Sequence, residues 1–119
     1  MPLCQPSFTY YTMSDPVAQI IADERSWPIP SVRVAHPSDA DVVIEQGPLG
    51  GLWGLTSFEQ PIKITLADGL PPIVALEHEL GHALYFGIDH PGDGVMVHTV
   101  WPTEDDLEWA TAYCAERAA

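Results

Sequence analysis

The chain has 119 residues, 46% of them hydrophobic, which suits one compact core and is too little for two ordinary domains. Seventeen acidic side chains against four basic ones give a formal net charge of -13; a surface of that sign repels phosphate backbones and excludes nucleic acid as the expected partner. No apolar run approaches the roughly 18 residues of a membrane-spanning helix, and Met1-Pro2-Leu3-Cys4-Gln5-Pro6 lacks a basic segment followed by an apolar stretch. The expectation is a single soluble domain over residues 1–119, a monomer with no membrane partner and no visible export signal, either intracellular or trimmed from a secreted precursor.

Cys4 and Cys114 lie near opposite ends of the chain. The preferred reading is two reduced thiols, with Cys114 a small buried apolar residue, over a disulfide closing a long loop. Phe8-Thr9-Tyr10-Tyr11-Thr12 is aromatic and β-branched and predicts a first strand. Ser14-Asp15-Pro16 supplies a cap and a proline in the first helical turn, and Val17, Ile20 and Ile21 recur at helical spacing, so a helix follows and ends before Pro28. Val32-Arg33-Val34, Val42-Val43-Ile44 and Ile62-Lys63-Ile64-Thr65-Leu66 read as further strands. Between the last two, the glycines of Gly47-Pro48-Leu49-Gly50-Gly51-Leu52-Trp53-Gly54-Leu55 predict a loop feeding an irregular edge strand.

Pro71 and Pro72 then open a helix whose Ile73, Leu76, Leu80, Ala83 and Leu84 fall within about 100° of one another and form a buried face. Pro102-Thr103-Glu104-Asp105-Asp106 places a hydroxyl cap three residues before an acid and stacks carboxylates in a first turn; the helix it starts should run to about Glu116. Strand, helix, several strands, then two helices define an α+β chain with a mixed sheet and helices packed on it.

Chemistry concentrates in His78-Glu79-Leu80-Gly81-His82. On a helix the two histidines stand about 40° apart and one turn along the axis, so both imidazoles reach one tetrahedral cation. Glu79, about 100° from His78, is placed to take a proton from a water activated by that cation without being a ligand. His78, His82 and His90, three of the five histidines, fall within thirteen residues.

With Gly87-Ile88-Asp89-His90 following, this stretch resembles the zinc-binding consensus of the metzincin metallopeptidases, most closely the matrixin branch, in which the helix ends at a glycine and a third histidine returns to the metal. Gly94-Val95-Met96-Val97 resembles the Met-turn beneath the zinc in that family, Pro102–Leu107 the start of its C-terminal helix, and Ala40–Ile44 one of its strands. The resemblance implies a twisted mixed sheet of about four to five strands, a helix in the N-terminal half, an active-site helix carrying the motif and a C-terminal helix. It also implies Zn2+ on His78, His82 and His90, with Asp89 and His98 as alternatives for the third position. Met96 would serve as the Met-turn residue. An extended peptide or protein substrate would lie along Leu52-Trp53-Gly54-Leu55, with Tyr85 beside the cleft, either donating to the reacting group or packing.

The chain departs from that family in two places. Four residues, Ala83 to Phe86, separate His82 from Gly87 where the family has two; two extra residues turn a helix by about 200° and lengthen it by about 3 Å. The chain must therefore bulge, or leave the helix near Leu84 and return by a longer loop. The only histidine before the motif is His36, so the family's additional structural zinc is not expected. Pro2-Leu3-Cys4-Gln5-Pro6 resembles the family's cysteine switch only superficially, its basic residue and glycine being replaced by Leu3 and Gln5. The acidic residues Asp89, Asp93, Glu104, Asp105 and Asp106 read as a solvated surface in preference to a Ca2+ site. The expected activity is zinc-dependent endopeptidase, with Glu79 as general base; the alternative is a zinc-stabilised, catalytically silent module that binds a peptide or protein.

Overall fold

The computed structural model describes residues 1–91, 94–96 and 99–118. Its principal elements are β1 (Phe8–Tyr11), α1 (Asp15–Ala22), β2 (Ser31–Arg33), β3 (Val42–Gly47), β4 (Gly54–Ser57), β5 (Ile62–Ala67), α2 (Leu76–Gly81) and α3 (Glu104–Ala118). The fold is α+β, with one five-stranded mixed sheet ordered β2-β1-β3-β5-β4. Neighbouring strands are parallel except β4 and β5, which pair antiparallel with Gly54 opposite Leu66 and Ser57 opposite Lys63. Among the described residues no helix is long and apolar enough to cross a membrane.

Alternation decides which face of the sheet is covered. In β5 the side chains of Ile62, Ile64 and Leu66 are buried while Lys63, Thr65 and Ala67 are half-exposed, and β3 buries Val42 and Ile44 in the same way. These residues form one core with Val17 and Ile21 of α1 and Leu76 and Leu80 of α2. Helix α1 starts as expected: the Ser14 hydroxyl accepts from the Val17 amide at 3.3 Å. It stops at Ala22, well before Pro28, because the Asp23 carboxylate accepts from the Arg25 amide at 2.8 Å and draws the chain into a turn.

Three expectations need correction. The helix expected to open at Pro71 and Pro72 is divided: Pro72–Val74 form a 3-10 turn, Ala75 sits at φ -130°, and α2 begins at Leu76. Leu76, Leu80, Ala83 and Leu84 are buried as expected, while Ile73 lies outside α2 and is half-buried. Cys4 and Cys114 are joined in a disulfide, not reduced, with Cα atoms 5.4 Å apart across 110 residues of sequence. Finally, Asp106 is not solvated. It is 0% exposed, and its Oδ2 accepts from the amides of Val95 (2.9 Å) and Thr103 (2.7 Å), while the Thr103 hydroxyl accepts from the Asp106 amide (3.2 Å). That reciprocal pair caps α3, and the third bond ties the cap to the segment bearing Met96.

Candidate metal centre

Helix α2 does not continue as an α-helix through the four residues that separate His82 from Gly87. From His82 to Phe86 the backbone winds as a π turn, closed by the Gly87 amide donating to the His82 carbonyl at 3.0 Å. An i→i+5 turn absorbs extra residues without breaking the helix, so the bulge is the alternative the chain adopts. Phe86 consequently turns into the core, packing 6.0 Å from Trp27 and 5.4 Å from Tyr113, centroid to centroid. Gly87 then takes φ 60°, ψ -125°, a conformation that side chains oppose, and reverses the chain toward His90.

The reversal brings three imidazoles together. His82 Nε2 lies 3.1 Å from His78 Nε2 and 3.1 Å from His90 Nε2, and one ring nitrogen from each lies within 4.8 Å of the others. The opposite nitrogens have fixed partners: His78 Nδ1 faces the Val95 carbonyl at 3.3 Å and His82 Nδ1 faces the Gly87 carbonyl. A carbonyl accepts only, so in both rings the proton sits on Nδ1 and the Nε2 atoms meet lone pair to lone pair. Burial holds the His82 imidazole well below its usual pKa, at about 4, and lowers that of His78, so both rings are neutral near pH 7. Two neutral nitrogens at 3.1 Å with no proton between them repel. A cation relieves that repulsion, and a metal-ligating histidine commonly donates its other ring N–H to a backbone carbonyl, as Nδ1 does here. The His78, His82 and His90 donor set could therefore hold a metal ion.

Glu79 stands beside this cluster, its Oε2 3.9 Å from His78 Nε2. The carboxylate is nearly buried and cradled by β4: the Thr56 hydroxyl donates to Oε1 at 2.7 Å, and a methyl at Gly54 would lie only 2.9 Å from Oε2. Burial raises the Glu79 pKa, and the Thr56 hydrogen bond works against that rise. Burial thus makes Glu79 a stronger base than an ordinary carboxylate, and among the described residues its side chain has one hydrogen-bond donor, Thr56 on Oε1.

Met96 lies beneath α2, 2% exposed, and a methyl at Gly81 would come 2.7 Å from its sulfur and 3.1 Å from the Trp27 ring. Gly81 therefore lets Met96 and Trp27 close on the helix between the two histidines. Leu52, Trp53 and Leu55 are 56%, 64% and 47% exposed around the cleft. Hollows of about 380 Å³ and 300 Å³ flank the cluster, both lined by Gly54, His78 and Glu79.

The structure brings His90 to the cluster and turns Asp89 away, its carboxylate accepting from the Tyr113 hydroxyl at 2.8 Å. Tyr85 does not join the cleft. Its ring packs 5.0 Å from that of Trp27 on the core side of the π turn, and burial raises its pKa to about 12. His98, Val97 and Asp93 lie outside the described residues. Thr56, Asp106 and the carbonyls of Val95 and Gly87 were not anticipated. Thr56 had one signal in the sequence, its place two residues beyond Gly54 and so on the same face of the edge strand. Comparison of the chain with protein-family models and with curated protein sequences finds no match.

Proposed function

We propose that the protein is a zinc-dependent endopeptidase of metzincin type. The observation that carries the reading is the convergence of three Nε2 atoms with a cradled, non-ligating Glu79 carboxylate 3.9 Å from His78 Nε2. Imidazole-only donor sets suit Zn2+, and three protein ligands leave a position for substrate. When bound, the ion supplies Lewis acidity, polarising the scissile carbonyl and acidifying a water molecule.

The chain's residues supply the rest. Glu79 takes the proton from the attacking water and returns it to the leaving amine, while Thr56 keeps the carboxylate turned toward the cleft. Among the described residues strand β4 pairs only with β5, which leaves its other edge open beside the site. An extended peptide can add to that edge, with apolar side chains meeting Leu52, Trp53 and Leu55. The -13 net charge disfavours acidic substrates.

A silent binding module has no use for a buried base with one oxygen unpartnered, which supports the enzyme over that alternative. The test is a fluorogenic peptide library assayed with and without a zinc chelator. Cleavage abolished by chelation and restored by Zn2+ supports the reading. Metal uptake with no cleavage of any peptide favours the binding module.

A further inference from the structure

The π turn leaves a debt of hydrogen bonds at its end. Its closing bond uses the His82 carbonyl, and the next amide partner along the chain, Asp89, bonds Phe86. The intervening carbonyls of Ala83 and Leu84 are taken by the N-terminal segment: the Leu3 amide donates to Ala83 and the Cys4 amide to Leu84, both at 2.9 Å. Cys4 is bonded to Cys114 of α3, and a methyl on Gly87 would lie 3.5 Å from Pro2 on one side and 3.5 Å from Arg117 on the other. Tyr113, the neighbour of Cys114, holds Asp89 beside His90 at 2.8 Å. Besides its bonds to His82 and Phe86, the segment that delivers His90 is thus held from outside by the N-terminus and α3 among the described residues, and the disulfide joins those two.

Resting on the metal-centre reading, we propose that the Cys4–Cys114 disulfide is a redox-controlled part of that centre, setting metal affinity by holding the π turn and, through it, His90. The π turn is the element with two states. A π conformation is rare and an α-helix is its ordinary competitor. Chain ends fray unless tied down; once the N-terminal segment lifts, the Ala83 and Leu84 carbonyls lose their donors and the π form loses what favours it. A change of winding at this point moves Gly87, whose carbonyl orients His82, and carries His90 off the cluster. Both cysteines are half-exposed and within reach of a small thiol. In the switching step two reductant thiols give up their protons and two electrons: the protein Sγ–Sγ bond breaks, two protein thiols form, and the reductant leaves as its own disulfide. Linkage makes the coupling reciprocal, so bound metal must favour the disulfide by the factor by which the disulfide favours metal.

Zinc affinity is measured by competition with a chromophoric chelator for the oxidised wild type and for the Cys4→Ser/Cys114→Ser variant, whose hydroxyls are poor zinc ligands. The expected result is roughly 10–100-fold weaker binding in the variant, the range found when groups that orient metal ligands are lost. In a His90→Ala background, removing the disulfide should produce no further loss. If circular dichroism shows the double-serine variant to be unfolded, the reciprocal measurement uses wild type alone: its thiol–disulfide equilibrium in glutathione buffers, with and without zinc, should shift toward the disulfide by the same factor. Equal affinities in the folded variant and wild type, or an equilibrium that zinc leaves unmoved or drives toward thiols, overturns the clamp alone. Oxidised wild type that takes up neither zinc nor cobalt fails the metal reading itself.

Discussion

Glu77 and Glu79 stand two residues apart on one helix, both nearly excluded from solvent, and the two sides of α2 treat them in opposite ways. On the core side Glu77 is 0% exposed and fully occupied: the Ser26 hydroxyl lies 2.9 and 2.8 Å from its two oxygens, and the Trp27 amide donates to Oε2 at 3.2 Å. The Trp27 indole completes the lock by donating to the Glu77 carbonyl at 2.9 Å. Burial drives the Glu77 pKa to about 7 against those hydrogen bonds. On the cleft side Glu79 has one side-chain donor, Thr56, and an oxygen left over. A saturated acid fixes structure, and an acid with spare capacity beside three imidazoles is available for chemistry.

The sharpest way to break this comparison is to neutralise each acid in turn. Glu79→Gln should keep the fold and the metal and lower peptide cleavage by about 10²–10⁴-fold, the range for loss of a positioned general base. Glu77→Gln should retain cleavage within a few-fold. Turnover measured on both zinc-loaded variants decides the matter; near-wild-type activity in Glu79→Gln would move the base elsewhere. A second substitution tests the seam between the two sides. Gly81→Ala drives a methyl against Met96 Sδ and the Trp27 ring, at 2.7 and 3.1 Å, and overpacking of this kind costs about 1–3 kcal/mol. Thermal melts should show that loss, and Met96→Ala in the same chain should recover part of it by opening space.

Legibility followed the range of the interactions. The pairing of His78 with His82 and the place of Glu79 beside them are readable because i, i+4 geometry is local, and β3 and β5 because a buried face imposes a period of two on a short run. His90 was readable as a candidate only, since its approach depends on how four residues wind between His82 and Gly87. The disulfide and Asp106 escaped for a different reason. Cys4 meets Cys114 across 110 residues, and Asp106 is drawn inward by Val95, eleven positions away. In an acidic chain three consecutive carboxylates look alike, and only tertiary packing singles out the one that is buried. Tyr85 packs, one of the two roles the sequence leaves open to it, but it does so against Trp27 and not beside the cleft, because the π turn rotates it in a way that no regular helical wheel contains.

The pH dependence of metal-free stability separates the two sides further. Glu77 has a folded pKa of about 7 against 4.5 unfolded: its contribution is fully present below 4.5 and is lost as pH rises through about 7. His82 has a folded pKa of about 4 against 6.5: its contribution is present above 6.5 and is lost as pH falls toward about 4. Across the shared window the unfolded chain releases a proton at Glu77 while it takes one up at His82, so the two slopes oppose each other. In chelator, the melting temperature of wild type should therefore vary less with pH over that window than either group alone would make it, the lowered His78 and raised Glu79 pKa values opposing each other in the same way. Glu77→Gln should unmask the histidine slope, its melting temperature rising with pH and its advantage over wild type growing until about pH 7. Parallel curves for the two proteins would mean that Glu77 ionises normally inside the core.

The smallest expected effect lies in the cradle of the base. Thr56→Val removes the hydroxyl that donates to Glu79 at 2.7 Å while keeping the β-branched shape that suits β4. A hydrogen bond of this kind to a charged acceptor contributes about 1.5–3 kcal/mol in favourable cases and nearer 1 kcal/mol where water can substitute. Glu79 is buried at the margin of the cleft, so the lower figure applies and stability should fall by about 1 kcal/mol. If Glu79 is the base as proposed, turnover should fall about tenfold with KM nearly unchanged, because the loss falls on the orientation of its carboxylate and not on the strand edge proposed for the peptide. Thr56→Ser restores the donor and should recover most of the rate. If serine fails to rescue, or if valine raises KM and leaves kcat alone, Thr56 serves the edge of the sheet rather than Glu79, and the two sides of α2 differ less than their hydrogen bonds indicate.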